Sequence, residues 1–309
     1  MQYIYIFYTF ASMIEISLIV ATYNRAEQLL TTLNSVAMQK CAPQRWECII
    51  VDNNSADDTR ARVERFISDH PTLNFRYHFE PQQGLSHARN AGINIAQGDI
   101  IAFVDDDERI ADGFFNAYLE LFAEKGDAMA AGGRVIAEYP SGRPTWMSRY
   151  TERPIANPID FGPNVIPYPR KGIPAGGNMA FRSVVFRRVG IFDTTLGRKG
   201  KSLIGGEESD LFERIAKHQM ACYYTPGAAI YHIIPPEKLT ADYFSRLSLN
   251  TGISQRRRAR IHNRVLGLYI GEMAKWCATL LLCLIHRPAQ SRYLLKMRYN
   301  ITKGILQAD

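Results

Sequence analysis

The feature that most constrains this chain is the alternation of its N-terminal third. Ile16-Ser-Leu-Ile-Val-Ala-Thr22, Cys48-Ile-Ile-Val51, Phe75 to Phe79 and Asp99-Ile-Ile-Ala-Phe-Val104 are short runs rich in β-branched, aromatic and apolar residues. Between them, Ala26 to Met38 sets Leu29, Leu30, Leu33 and Val36 at helical spacing. A second helical pattern starts near Asp57 with Val63, Phe66 and Ile67 on one face, and Gly84 to Ala96 reads as a third. Strands separated by helices predict β-α-β units with right-handed crossovers. The unbroken apolarity from Ile100 to Val104 suits a strand buried on both faces. The predicted class is α/β, a mostly parallel central sheet flanked by helices. Ligands collect at the carboxyl ends of strands in such sheets. Three polar clusters fall there: Thr22-Tyr-Asn-Arg25, Asp52-Asn-Asn-Ser55 and Asp105-Asp-Asp-Glu108.

The pattern then changes. Eight of the 15 prolines lie between Pro140 and Pro174, among Trp146, Tyr150, Phe161 and Tyr168. Such a stretch resists regular helix and central strand, and is expected to be an ordered insertion covering one side of a cleft. Regular structure should resume with Asn178 to Phe181, a helix near Ser183 to Val189, a helix from Glu208 to about His218, and two short strands at Cys222–Tyr224 and Ala229–His232. The expected organisation is a catalytic domain over residues 1–250 and a helical tail over 251–309. Within the domain, residues 16–107 and 108–250 form two halves.

A chain of 309 residues with 46% hydrophobic content can bury a core without staples. The cysteines, Cys41, Cys48, Cys222, Cys277 and Cys283, are scattered without a C-x-x-C pair. That argues against a disulfide framework or zinc cluster and fits a reducing compartment. Met1 to Met13 is apolar but has no basic n-region, so it reads as an extension and not a cleaved signal. The net charge of +7 is uneven: residues 251–309 hold 11 Lys+Arg against Glu272 and Asp309, leaving residues 1–250 at −2. A mildly acidic body argues against a nucleic-acid partner.

Two acidic clusters invite chemistry. Asp105-Asp106-Asp107-Glu108 closes an apolar strand, and four adjacent acids repel one another unless a hard divalent cation joins them. The plain alternative is a solvated turn capping the following helix. Gly205-Gly206-Glu207-Glu208-Ser209-Asp210 opens a helix. First-turn acids stabilise a helix without any function. Three of them behind two glycines exceed that need, and a carboxylate there could serve as general base, Glu208 before Asp210.

These clusters recur in a recognisable series: Ile19-Val-Ala-Thr-Tyr-Asn-Arg25, Ile50-Val-Asp-Asn-Asn-Ser-Ala-Asp-Asp58, Gly84-Leu-Ser-His-Ala-Arg-Asn-Ala-Gly92, Phe103-Val-Asp-Asp-Asp107, Gly205-Gly-Glu-Glu-Ser-Asp-Leu211 and Tyr231-His232 before Pro235-Pro-Glu-Lys-Leu-Thr240. In that order and spacing they resemble the family 2 inverting glycosyltransferases with the GT-A fold, over about residues 16–245. The resemblance implies a nucleotide-diphosphate sugar donor, a UDP-sugar being expected. Thr22, Tyr23, Asn24, Arg25, Asp52, Asn54, Arg89, Asn90, Asp105 and Asp106 would bind it. Asp107 and His232 would hold Mn2+ or Mg2+. Gly177, Asn178 and Glu207 would face the acceptor. Where the family motif usually has Asp as its second acid, this chain has Glu208, one methylene longer. Arg198, Lys199 and Lys201 would either close over the diphosphate or form a solvated basic loop.

In the tail, Gln255-Arg-Arg-Arg-Ala-Arg260 precedes the mostly apolar Val265 to Ile285, which carries Glu272 and Lys275 near its middle. Central charges disfavour spanning a bilayer and favour lying on one; packing against the domain or a second subunit is the alternative. The expected role is transfer of one sugar to a glycan or polyprenyl-linked hydroxyl, by a peripheral protein at the cytoplasmic face of the cell membrane. A polyprenyl-phosphate sugar synthase and a non-catalytic nucleotide-sugar-binding protein are the competing readings. The former has a phosphate acceptor that needs no strong base.

Overall fold

A computed structural model describes residues 14–170, 172–200, 203 and 205–307; Met1 to Met13 and Lys201 lie outside them. The first half follows the predicted order: β1 (Ile16–Thr22), α1 (Ala26–Ala37), β2 (Trp46–Asp52), α2 (Thr59–Asp69), β3 (Phe75–Phe79), α3 (Leu85–Ile95) and β4 (Ile100–Asp105). β3-β2-β1-β4 pair in parallel. Strand alternation sorts the core into two layers. Ile16, Leu18 and Val20 face α1, α2 and the later helix α4 (Phe114–Glu124). Ile19 faces α3, α6 (Val184–Val189) and α7 (Glu207–Lys217) on the other side.

Beyond β4 the sheet is mixed. β5 (Glu108–Ile110), β6 (Ala128–Glu138), β7 (Ile166–Pro167), β8 (Met179–Arg182) and β9 (Ala221–Ile233) complete it in the order β3-β2-β1-β4-β8-β6-β9-β5, with β7 beside β9. β8 runs antiparallel to β4 and β6, while β6 and β9 are parallel. The two short strands expected at Cys222 and Ala229 are one strand, β9, which keeps pairing with β6 through a register shift between Gly133 and Val135. β6 lacks a clear strand signal because its centre is small. A Cβ at Gly133 would lie 1.7 Å from the Ala228 carbonyl oxygen.

The Pro-rich segment does not cover the cleft. It contains the helix α5 (Arg149–Ala156), capped by Ser148, with Pro154 inside it. Met147, Ile155 and Ala156 join a third core with the C-terminal helices α8 (Ala241–Ile261) and α10 (Pro288–Gln307). Trp146 stacks on Tyr293 at 4.1 Å between centroids. α8 runs unbroken across residue 250, so the boundary drawn there falls inside a helix. α8 and α10 cross at Gly252 and Gly304, where a Cβ on either would meet the other helix's backbone at about 2 Å. α9 (Val265–Ile285) rests on this pair and turns one face outward.

Candidate active site

The strand ends, the start of α7 and one face of α8 enclose a cavity of about 740 Å³. Register explains the first wall: Thr22 pairs with Asp52, and Ala21 pairs with Asp105. Thr22, Tyr23, Asn24, Arg25, Asp105, Asp106 and Asp107 line it. Asp106 is buried, accepting from the Thr22 hydroxyl at 2.8 Å and from Arg25 at 2.9 Å. Burial, opposed by Arg25, pushes its carboxyl up to about 6. Asp52 and Asp105 lie two strand spacings apart, about 10 Å. Asp52 is buried beside the cavity, its oxygens taken by the Ser55 amide and the Tyr77 hydroxyl, both at 2.9 Å. Its neighbour Asn53 reaches the lining instead.

Asp107 and His232 come together as expected, and Glu108 joins them. One ligand atom from each lies within 4.8 Å of the other two. His232 Nδ1 donates to the Ala156 carbonyl at 3.1 Å, which leaves the Nε2 lone pair facing Asp107 Oδ1 at 3.9 Å. Burial pushes His232 below its ordinary value, keeping it neutral. A lone pair facing a carboxylate is unfavourable unless a cation sits between them. Glu108 is pushed well above the carboxylate range by burial and then by the charges of Asp105 and Asp107. The donor set therefore fits a divalent cation. Lys238, a residue the sequence reading did not single out, takes the other side of Asp107, Nζ to Oδ2 at 2.5 Å. Burial would raise Asp107, but the charges of Lys238 and Arg25 hold it well below the usual range.

The opposite wall is the start of α7. Gly206 caps it at φ 111, a conformation that suits glycine. The turn is tied to α8 by the Gly205 amide, which donates to the Ser254 hydroxyl at 3.0 Å. Glu207 and Glu208 then face the cavity. Glu207 is 1% exposed and its Oε2 has no hydrogen-bond partner among the described residues. Burial, then the charge of Glu208, pushes it up to about 8. Glu208 keeps its side chain 24% exposed.

Several expected site residues do other work. Arg89 lies beneath the cavity among Asp105, Glu207 and Glu208. Asn90 clamps the backbone of Phe192 through both amide atoms. Asn178 is fully buried, accepting from Tyr118 and donating to the Arg134 and Ala228 carbonyls, so it holds the sheet and not an acceptor. Gly177 presses on Glu108: a Cβ there would lie 2.1 Å from its carboxylate. Asn54 is exposed at φ 64 and shapes the turn after β2. Asp210 is turned away from the cavity, paired with Arg214 at 2.8 Å and His262 at 3.2 Å. The third wall, absent from the expectations, is α8: Leu247, Thr251, Ser254, Gln255 and Arg258 form one helical stripe along the cavity, with Arg198 also lining it.

A family model described as glycosyl transferase family 2 matches residues 17–190. A glucosyl-dolichyl phosphate glucuronosyltransferase of Haloferax volcanii is 25% identical over 252 residues, 78% of this chain and 76% of that protein. The succinoglycan biosynthesis protein ExoM of Rhizobium meliloti is 26% identical over 305 residues, 93% of this chain and 91% of that one. Among solved structures, a mannosyltransferase of Pyrobaculum calidifontis in complex with GDP-Man and Mn2+ aligns with a TM-score of 0.63 at 17% identity, over 95% of this chain and 87% of that chain. At that identity the likeness speaks for the fold. With the family model covering more than half its length, the chain belongs to glycosyl transferase family 2: it is a glycosyltransferase with the GT-A fold.

Proposed function

We propose that this enzyme moves a sugar from a nucleotide-diphosphate sugar, a UDP-sugar by expectation, to a hydroxyl of a glycan or polyprenyl-linked acceptor, with inversion. The observation that carries this reading is that Glu208 and the Asp105–Asp107 strand end face one cavity from opposite walls. Glu208 takes the acceptor proton as the oxygen bonds to the anomeric carbon. The bond from that carbon to the diphosphate breaks on the far face, and the nucleotide leaves with the electron pair. Asp107, Glu108 and His232 would hold Mn2+ or Mg2+, which supplies charge neutralisation for the diphosphate. Arg25, Arg198 and Arg258 line the same space and add fixed positive charge.

The acceptor is expected at a membrane surface, on the cytoplasmic side. α9 is long and apolar enough to cross a membrane by length and composition. Leu266, Ile270, Met273, Leu280, Leu281 and Leu284 form an exposed stripe on it, with Arg256 to Arg258, Arg260 and Arg264 before it and Arg287 after it. That pairing of an apolar face with basic flanks suits anionic headgroups. Five free cysteines fit a reducing compartment.

The test is turnover with a donor chosen from a panel of UDP- and GDP-sugars. Glu208→Gln should lower turnover by about 10²–10⁴-fold with donor affinity little changed. NMR of the product should show the anomeric configuration opposite to the donor's. A retained configuration, or a fully active Glu208→Gln enzyme, overturns the mechanism.

A further inference from the structure

The family resemblance places Arg89 on the nucleotide; the structure places it under the floor. It is 2% exposed, and the cavity lining does not include it. Its guanidinium lies over the rings of Phe192 and Phe103, at 5.5 and 6.0 Å from their centroids. From there Nη2 donates to Asp105 at 3.1 Å and to the Gly176 carbonyl at 3.2 Å, while Nη1 donates to Glu207 at 3.1 Å. Nη1 is also 3.5 Å from Glu208 Oε1. One rigid fork thus spans the donor-side acid and both acids of the base turn. The junction has no slack: a Cβ on Gly176 would lie 2.2 Å from Glu208 Oε1 and 3.0 Å from Arg89 Nη2.

We propose that Arg89 is a positioning residue that fixes the base Glu208 relative to the donor-binding Asp105 without touching substrate. The inference rests on the reading of Glu208 as base. Charge balance supports it. Two guanidinium groups act on the three carboxylates, Arg89 in direct contact and Arg198 from the cavity lining, so the charges balance when one acid keeps a proton. The buried Glu207, with an oxygen unpartnered among the described residues and a carboxyl pushed up to about 8 by burial, is the acid that holds it. Glu208 opens to the cavity with its side chain 24% exposed. Losing the Arg89 cation removes stabilisation from the carboxylate forms, so the pKa of the Glu207–Glu208 pair rises.

The experiment uses the full chain and whichever of UDP-glucose, UDP-galactose, UDP-N-acetylglucosamine and GDP-mannose the wild type hydrolyses. Arg89→Met should lose about 10²-fold in kcat, the scale set by about 1 Å of misplacement. Donor KM and the Kd for the matching free nucleotide should stay within about threefold, and the acid limb of the pH profile should move to higher pH. Arg89→Lys keeps the charge without the fork. It should leave the acid limb where it is and recover only part of kcat. Gly176→Ala, which pushes on Glu208 from the other side, should reproduce the kcat loss if Arg89→Met does not fold. Either of two results overturns the proposal: kcat unchanged in all three variants, or a tenfold weaker nucleotide Kd in Arg89→Met, which makes Arg89 a donor contact. The base reading fails separately, through an active Glu208→Gln.

Discussion

Two groups of buried carboxylates in this molecule have different fates. Glu272, in the middle of α9, is buried with its oxygens satisfied: Arg298 Nη1 donates to both at 3.1 and 3.0 Å, and the Thr302 hydroxyl donates at 2.8 Å. Trp276 Nε1 closes the network by donating to the same hydroxyl at 2.9 Å. At the cavity the pairing is incomplete. Among the described residues Glu207 has an orphaned oxygen, Asp107 Oδ1 faces a neutral imidazole, and Asp105 and Glu208 remain partly open. A buried charge is costly in both places. Complete pairing turns it into a structural pin, and incomplete pairing leaves it available to a ligand. The same contrast revises the reading of the tail. Glu272 points inward, so the mid-helix acid that argued against membrane insertion leaves the outer face of α9 apolar.

The comparison breaks first at Asp107. Asp107→Asn keeps its shape but removes the charge facing His232. Turnover should fall to background and no longer respond to added Mn2+, while circular dichroism shows an intact fold. Full wild-type turnover in excess chelator would show that this acid cluster is also a pin.

The next largest effect belongs to the pin. Glu272→Ala leaves Arg298 buried and unpaired, which should destabilise the protein by about 3–5 kcal/mol in urea unfolding. Replacing both partners with leucine should recover most of that loss, since two buried charges disappear together. A Glu272→Ala protein as stable as wild type would mean that the network stabilises little.

A smaller and more local effect tests the outer face. Leu280→Glu with Leu284→Glu puts charge on the exposed stripe and touches no core residue. Co-sedimentation with vesicles containing anionic phospholipid should fall about tenfold or more, and hydrolysis of a soluble donor should be unchanged. Binding by the wild type should itself weaken as salt rises, because part of it is electrostatic. Undiminished binding by the double variant would exclude α9 as the docking face.

What sequence could and could not reveal follows the same division. The parallel strands β1, β2 and β4 were legible because both faces are buried and their ends carry polar clusters. Asp107 and His232 were singled out through the family resemblance of their motifs, and the fold sets them side by side with Glu108. Lys238 was not: it lies 131 residues from Asp107, and a lysine after two prolines has the look of a solvated turn. β6 was hidden by Gly132 and Gly133, whose use is close packing and not strand propensity. α8 was read as the entrance to a tail because its arginines dominate the pattern. The stripe from Leu247 to Arg258 becomes a cavity wall only through the Gly252–Gly304 crossing, a tertiary fact.

The smallest expected effect is the sharpest test of the contrast, because it concerns two acids on one helical turn. Asp210 and Glu208 are two residues apart in α7, so they face different ways. Glu208 opens to the cavity. Asp210 is buried against Arg214, four residues on, and against His262 at the end of α8, making it a pin like Glu272. Arg214 also donates to the Gly190 and Ile191 carbonyls, so it keeps partners if Asp210 is neutralised. Asp210→Asn should therefore leave kcat and donor KM within about threefold of wild type. Its cost should be in stability, about 1.5–3 kcal/mol for weakened hydrogen bonds to a charged group. Kinetics and urea unfolding on this variant, run beside Glu208→Gln, separate the two roles. If Asp210→Asn is inactive with its stability intact while Glu208→Gln turns over normally, the base is Asp210, and pairing completeness fails to distinguish pins from catalysts in this enzyme.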